Sequence, residues 1–289
     1  MTQQTLAYAA WLLVCLIWGT TYLAIRVAID TIPPLLMTSV RWLSAGLLLM
    51  VMQRIRGESL PGRSAWRSLA LLGILLVWFG NGAVVLAEQV VPSGLTAVLV
   101  AVTPFWMIGI ERFMPRAEVL TRRQVIGFIL GFAGVVFLVW PELRGGSGPA
   151  FLAGVAGTQL AALGWSAGSN YARFREKDRS VLGASALQMV FGGLFLLAVA
   201  LMRGERATQT ISAESWAAVT YLVLVGSIVG FSAYAYALKH LPLSLVSVYA
   251  YINPIIAVAL GTLILHEPIS PRLLIASVVV LCSIAVIKR

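Results

Sequence analysis

The chain has 289 residues, of which 60% are hydrophobic and only 11% are charged, and its mean hydropathy is +0.91. A soluble domain carries about 25% charged residues, so this composition excludes a water-soluble globular protein and predicts one that spans a lipid bilayer. The formal net charge of +10 lies in short basic clusters between apolar runs. That distribution is typical of a chain oriented in a membrane, and no nucleic-acid partner is expected.

A helix that spans a membrane needs about 20 mostly apolar residues. Charged and Pro- or Gly-rich breaks divide the chain into ten such candidates, over residues 6–27, 34–53, 68–88, 92–111, 123–140, 149–171, 181–202, 216–238, 243–265 and 271–287. The first run lacks a basic leading region and a cleavage site, so a retained helix is expected rather than a signal peptide. The predicted fold is an all-α integral membrane protein with ten transmembrane helices.

The second half of the chain repeats scarce residues of the first half in register. At an offset of 147 residues (165 − 18) the pairs are Trp18 with Trp165, Arg26 with Arg173 and Gly46 with Gly193; at 150 (254 − 104) they are Pro92 with Pro242, Pro104 with Pro254 and Arg122 with Arg272. The pattern predicts two five-helix repeats, residues 1–140 and 141–289. Because five is odd, the second repeat is expected to be inverted, which is the basis of alternating access in many transporters.

Basic residues predict the orientation. With the N-terminus in the cytoplasm, fifteen Lys and Arg residues fall on cytoplasmic segments, and five fall on the outer segments: Arg26, Arg144, Arg203, Arg206 and Arg272. Positive charge accumulates on cytoplasmic loops, so both termini are expected inside.

Several motifs resemble those of the drug/metabolite transporter superfamily, in particular its ten-helix EamA-type exporters. They are Trp18-Gly19-Thr20-Thr21-Tyr22 with Arg26, Pro33-Pro34 followed by Arg41, Asn81 with Ala87-Glu88-Gln89, Val91-Pro92-Ser93-Gly94, Thr103-Pro104, and Tyr251-Ile252-Asn253-Pro254 with Glu267-Pro268. The resemblance covers essentially the whole chain. It implies export of amino acids and related metabolites from a bacterial cell through its inner membrane. Members of the family also carry sugars, nucleotide derivatives or organic cations, which remain alternatives.

Arg41 and Glu88 are the charged candidates for a substrate path. Arg41 lies about 10 Å along its helix from Pro34 at 1.5 Å per residue, a depth at which charge is costly unless it faces a cavity or a partner. A guanidinium there offers a bidentate site for a carboxylate or phosphate. The alternatives are an internal bond to a carbonyl or to Glu88, or snorkelling to the headgroups. Glu88 offers a site for an ammonium or a proton, or simply marks a helix end in water. The position related to Arg41 by the repeat is Gln188, which is polar but uncharged.

Other candidates are prolines, aromatic residues and small polar residues. Proline inside a helix frees carbonyls, which directs attention to Thr103-Pro104 and Asn253-Pro254 as parts of the path or as simple kinks. Aromatic side chains that fit the floor of a cavity, or plain packing, are Trp18, Tyr22, Trp78, Trp165, Tyr249 and Tyr251. Further hydrogen-bonding candidates, which otherwise bind helix to helix, are Thr20, Asn81, Ser166, Ser169 and Ser227.

An integral membrane enzyme is the second hypothesis, and a channel is the third. Catalysis with a metal needs clustered carboxylates, or His and Cys ligands, and the two Asp and two His residues are scattered. No cofactor or metal is therefore expected. A channel is expected to carry rings of like charge or a filter motif, and the sequence has neither. The expected partners are a small-molecule substrate and the lipid bilayer. Ten helices can enclose a cavity within a monomer, and a dimer is also compatible with the sequence.

Overall fold

The computed structural model of the chain describes residues 2–114, 121–143, 148–175 and 180–288. Their helices, numbered in chain order, are α1 (Gln3–Ala28), α2 (Pro34–Ile55), α3 (Arg63–Ala87), α4 (Ser93–Glu111), α5 (Arg122–Leu143), α6 (Gly148–Arg175), α7 (Val181–Met202), α8 (Ala213–His240), α9 (Leu243–Leu265) and α10 (Pro271–Lys288). The all-α prediction is confirmed, and each predicted segment corresponds to one of these helices. Basic residues used to predict orientation that lie outside the described residues are Arg116, Arg144, Lys177, Arg179 and Arg289.

Eight of these helices, α1–α4 and α6–α9, are long and apolar enough to cross a bilayer. The apolar parts of the other two are shorter, Val125–Leu138 in α5 and Pro271–Val280 in α10. The face of the molecule at which α1 begins and α10 ends is called the termini face, and the face across the bundle from it is called the opposite face.

Equivalent residues end the second helix of each half. Gly57 follows α2 and Gly204 follows α7, both with φ of +71°, and they are 147 residues apart. In each case the next residue donates its N–H back into the last turn, Glu58 to the Gln53 carbonyl and Glu205 to the Ala200 carbonyl, both at 3.0 Å. Glycine adopts this left-handed conformation without the steric penalty that other residues meet. The repeat in the sequence therefore specifies matching helix ends.

Helices of the two halves pack in reciprocal pairs. Helix α2 packs against α7 and α5 packs against α10, which pairs each helix with its own repeat equivalent. Helix α1 packs against α8 and α9, while α6 packs against α3 and α4. This exchange of partners is what a two-fold relation between the halves produces. It brings α1 and α6 to the centre of the bundle.

The third and fourth helices of each half are irregular. Helix α3 contains a π-helical stretch over Gly73–Gly82, and α8 contains one over Leu222–Val229. Helix α4 is interrupted between Val100 and Thr103, and α9 between Val246 and Tyr249. Departures of this kind from α-helix are frequent at functional sites.

The predicted proline sites behave differently in the two halves. Pro104 stands at the start of the second part of α4, where its missing N–H leaves no helical bond unmade. Pro254 lies inside the second part of α9, and the break occurs upstream of it. The two halves therefore share a broken helix but not the position of the break.

Candidate functional site

A central cavity of about 70 Å³ lies where the two halves meet. Helices α1, α2, α3, α4, α6 and α9 supply its walls. The lining residues are Trp18, Thr21, Tyr22, Ile25, Arg41, Trp42, Gly80, Asn81, Val84, Val100, Thr103, Ala161, Trp165, Tyr249 and Asn253. Eight of the residues singled out in the sequence are thus brought together here: Trp18, Tyr22, Arg41, Asn81, Thr103, Trp165, Tyr249 and Asn253.

Arg41 is the charged side chain in the wall of this cavity. It is 2% exposed, and its Nε donates to the Ser227 hydroxyl at 2.8 Å. Its Nη1 is buried and has no hydrogen-bond partner within the described part of the chain. Its guanidinium carbon lies 4.8 Å from the centre of the Trp42 ring, which adds a cation–π contact. Of the alternatives raised for Arg41, the structure shows neither a bond to Glu88 nor exposure to headgroups. An unpaired guanidinium nitrogen in a buried site is costly and complementary to an anion.

Four aromatic side chains form a cluster beside Arg41. The ring of Trp18 lies 5.1 Å from Trp165, 4.9 Å from Tyr234 and 5.1 Å from Tyr249. The Trp165 indole N–H donates to the Tyr234 hydroxyl at 3.1 Å, and the Trp18 indole N–H donates to the Gly226 carbonyl at 3.2 Å. The repeat-related Trp18 and Trp165 therefore meet each other in the middle of the molecule.

The amide side chains of the cavity bind the irregular helices. Asn81 donates to the Leu76 carbonyl at 3.0 Å within the π-helical stretch of α3. Asn253, with its amide nitrogen turned toward them, donates to the carbonyls of Tyr249 and Cys15 at 3.1 Å. The Thr103 hydroxyl donates to the Val100 carbonyl at 2.6 Å. These polar side chains occupy carbonyls near the helix breaks, so the cavity is held together by its own hydrogen bonds.

Glu88 is fully buried, which differs from the alternative that it marks a helix end in water. Among the residues that the structure describes, neither carboxylate oxygen has a hydrogen-bond partner, whereas the Glu88 backbone carbonyl accepts a bond from Arg26 Nη1. Val84, one turn before Glu88 on α3, lines the central cavity. Gln89, the residue directly after Glu88, lines a separate vestibule at the opposite face. Glu88 therefore lies in the wall between these two spaces.

Two carboxylates of the second half close the opposite face. Glu267 accepts bonds from the Ser93 N–H and hydroxyl, both at 2.8 Å, and from the Gly94 N–H at 3.0 Å. Glu205 accepts bonds from the N–H groups of Leu35 and Leu36 at 2.9 and 3.0 Å. Each carboxylate thus caps the N-terminus of a first-half helix, α4 or α2, where negative charge is favoured. These contacts tie the two halves together beyond the central cavity.

A second cavity, of about 240 Å³, opens at the termini face. Helices α6, α7 and α8 of the second half form most of it. Its lining residues are Leu76, Ala172, Arg173, Ser180, Val181, Ala184, Ser185, Gln188, Phe231, Tyr234, Ala235, Leu238 and Lys239. We call it the termini-side cavity. Since Tyr234 lines it and Trp165 lines the central cavity, their rings, 5.0 Å apart, separate the two cavities.

The other predicted path residues lie outside the central cavity. The Ser227 hydroxyl accepts the hydrogen bond from Arg41 Nε, and Gln188 lines the termini-side cavity. The hydroxyls of Ser166 and Ser169 bond within the bundle, to the carbonyls of Ala162 and Thr103 and to Trp165 and Tyr234. Thr20 bonds to Ile17 and Tyr221, and Trp78 packs on Phe79 and Phe195. Not among the lining residues are Pro104, Tyr251 and Pro254.

Sequence reasoning missed Tyr234, whose ring contacts the other three rings of the aromatic cluster. A signal for it existed. Ser227, which was a candidate, shares a helical face with Phe231 and Tyr234 at spacings of four and seven residues, the spacing at which one face of a helix recurs. That face of α8 therefore carries both aromatic residues that line the termini-side cavity.

Comparison with known proteins agrees with this architecture. The EamA-like transporter family matches residues 5–140 and 152–289, one match in each half. The chain is 36% identical over 250 residues to the inner membrane transporter YedA of Escherichia coli (strain K12), covering 86% of this chain and 79% of YedA. It is 27% identical over 278 residues to the transporter YvbV of Bacillus subtilis (strain 168), covering 94% and 88% of the two chains. A solved crystal structure, 21% identical, superimposes with a TM-score of 0.72 over 99% of this chain and 97% of that one, which shows a shared fold.

Proposed function

Because the chain belongs to the EamA-like transporter family of the drug/metabolite transporter superfamily, we propose that it exports small amphipathic metabolites, amino acids first, by alternating access. The relatives named as transporters favour transport over catalysis. The naming of YedA as an inner membrane transporter and the basic residues at the termini face support a bacterial inner membrane with cytoplasmic termini. The division of the chain at residue 140 stays a prediction.

The unpaired Nη1 of Arg41 carries the proposal. In a cavity lined by Trp18, Tyr22 and Trp165, it offers a charged donor beside apolar ring faces. A small molecule with a carboxylate and an apolar body meets both requirements. A hydrogen bond to a charged group contributes about 1.5–3 kcal/mol, enough to select the carboxylate.

The size of the central cavity supports alternating access. At about 70 Å³, the central cavity is far below the roughly 300 Å³ at which small-molecule sites begin. The substrate-bound state must therefore be wider, and rocking the two halves about their two-fold relation supplies such an opening. The caps made by Glu205 and Glu267 close one of its ends here.

Organic cations are the second candidate substrates, and Glu88 favours them. Its buried carboxylate receives no hydrogen bond from the described residues and is complementary to an ammonium group. A zwitterion satisfies Arg41 and Glu88 together, whereas a simple amine satisfies only Glu88.

The test is flux in liposomes containing the purified protein. A panel of labelled amino acids and simple organic amines is offered, with an active control transporter in parallel and protein-free liposomes as blank. Saturable, mutually competing amino-acid flux is expected. Flux of amines alone would transfer the assignment to cations, and no flux of either would contradict both.

A further inference from the structure

The wall that the first half contributes to the central cavity has a counterpart in the second half, and that counterpart lines the termini-side cavity. Lining residues of the central cavity map onto lining residues of the termini-side cavity at the two offsets found in the sequence. The pairs are Ile25 with Ala172 and Arg41 with Gln188 at 147 residues, and Asn81 with Phe231 and Val84 with Tyr234 at 150 residues. The two-fold relation therefore produces two cavities rather than one.

The two cavities differ in size in this conformation. The central cavity is about 70 Å³ and the termini-side cavity about 240 Å³. Of these two spaces, only the second approaches the size of a small-molecule site, which starts at about 300 Å³. Its mouth carries the exposed residues Ser180 and Lys239, at the start of α7 and near the end of α8. A molecule arriving at the termini face thus meets this cavity first.

The polar groups of the termini-side cavity point to an anion. Arg173 and Lys239 line it, and its described lining includes no acidic side chain. The hydrogen bonds that Arg173 makes to the carbonyls of Leu238 and Leu241 both use Nη1. The other guanidinium nitrogens of Arg173 take no part in these two bonds. The planar guanidinium group is suited to binding a carboxylate.

Two further polar side chains lie deeper in the cavity. Ser185 is 1% exposed, and its hydroxyl has no hydrogen-bond partner among the described residues. Gln188, which replaces the arginine of the other half, lines the same cavity. A buried polar group without a partner is unfavourable, and a bound polar molecule removes that cost. Phe231 and Tyr234 supply an apolar wall beside them.

We propose that the termini-side cavity is a second substrate subsite, which takes a small amphipathic carboxylate with its charge toward Arg173 and Lys239 and its apolar part on Phe231 and Tyr234. The subsite rests on the proposed transport function and precedes the Arg41 site on the same route. Passage between the two subsites requires the Trp165–Tyr234 ring pair to separate. The charge of the central subsite then comes from Arg41 of the first half, and that of the termini-side subsite from Arg173 and Lys239 of the second.

The test is protection of a thiol placed in the subsite. Cys15→Ala and Cys282→Ser remove the native cysteines, and Ala235→Cys introduces the probe at a half-buried lining residue of α8. The full-length protein in nanodiscs is labelled with an anionic thiosulfonate in the presence and absence of L-phenylalanine. Labelling is expected to slow by about tenfold when L-phenylalanine is at ten times its Kd. The same protection is expected after Arg41→Gln, because this subsite does not need the central one.

Cavity-filling variants give a second, independent measurement. Ser185→Leu and Gln188→Leu are expected to lower the binding stoichiometry of labelled L-phenylalanine from two to one per chain. Ala198→Leu, at an exposed position of the same helix, is the matched control and is expected to keep two. If the leucine variants fail to fold, the thiol measurement decides alone. Unprotected labelling in a protein that transports L-phenylalanine would overturn the subsite and leave the proposed function standing. Protection that disappears with Arg41→Gln would also overturn it, and neither protection nor flux would overturn both proposals.

Discussion

Arg26 and Arg173 close equivalent helix ends on opposite faces of the molecule. Arg26 Nη1 donates to the Glu88 carbonyl where α3 ends, and Arg173 Nη1 donates to the carbonyls of Leu238 and Leu241, at 3.0 and 2.6 Å, where α8 ends. The last carbonyls of a helix lack partners within it and carry partial negative charge, which a guanidinium satisfies. The recurrence of arginine at an offset of 147 residues is thus explained first by structure.

We therefore expect Arg26→Gln and Arg173→Gln to destabilise the protein by similar amounts. Each removes the charged donor from carbonyls at a helix end, one for Arg26 and two for Arg173, at a cost of about 1–3 kcal/mol. Thermal unfolding of both purified variants in one detergent measures the loss as a lower Tm. Arg203→Gln, at an exposed position of the opposite face, is the matched control and is expected to leave Tm unchanged. A loss in only one of the two variants would contradict the equivalence.

Gly73 is expected to tolerate no side chain. A Cβ there would lie 2.6 Å from the Gln188 carbonyl and 2.7 Å from the Gly192 nitrogen, both backbone atoms that cannot rotate away. Gly73→Ala should therefore force α3 and α7 apart and lower the folded yield. At Gly109 an added Cβ meets nothing within 4 Å, so Gly109→Ala should be neutral or stabilising, by up to ~1 kcal/mol. Comparing the monodisperse yield of the two variants checks this, and equal yields would count against it.

The fold was predictable from the sequence because lipid imposes length and composition on each helix. Residue spacing also identified the two halves, since scarce Trp and Pro residues kept their register. The site was predictable only in part. Trp18 and Trp165 were found through the repeat, and Arg41 through the cost of its charge.

What the sequence did not provide was the direction in which each small side chain points. Ser166 and Ser169 resemble path residues, yet their hydroxyls bond to the carbonyls of their own helix. Thr20 and Tyr22, two residues apart, lie about 200° apart around an ideal helix, so only Tyr22 reaches the cavity. Tyr234 was missed because its ring contacts α1 and α6, which are distant from it in the sequence.

Removing the carboxylate of Glu267 should favour opening of the opposite face. Glu267→Ala leaves the first N–H groups of α4 without the cap that ties them to the second half, at about 0.5–2 kcal/mol for a lost N-cap. In a background without Cys15 and Cys282, Asn81→Cys reports access to the central cavity from that face. An impermeant thiol reagent is expected to label it faster after Glu267→Ala. Glu214→Ala, which removes an acid from the same vestibule and no described cap, should leave the rate unchanged. Equal rates in the two variants would show that the cap does not hold this face closed.

Competition between an amino acid and its amide tests whether Arg41 binds the carboxylate of the substrate. Uptake of labelled L-phenylalanine by liposomes is measured against competing unlabelled L-phenylalanine and L-phenylalaninamide, which lacks the carboxylate. The unaltered protein is expected to prefer the acid by about tenfold or more, the equivalent of ~1.5 kcal/mol or more for a charged hydrogen bond. Arg41→Gln is expected to bring the ratio close to one while Tm is kept. An unchanged ratio in a folded Arg41→Gln variant would contradict the assignment of Arg41 to the substrate.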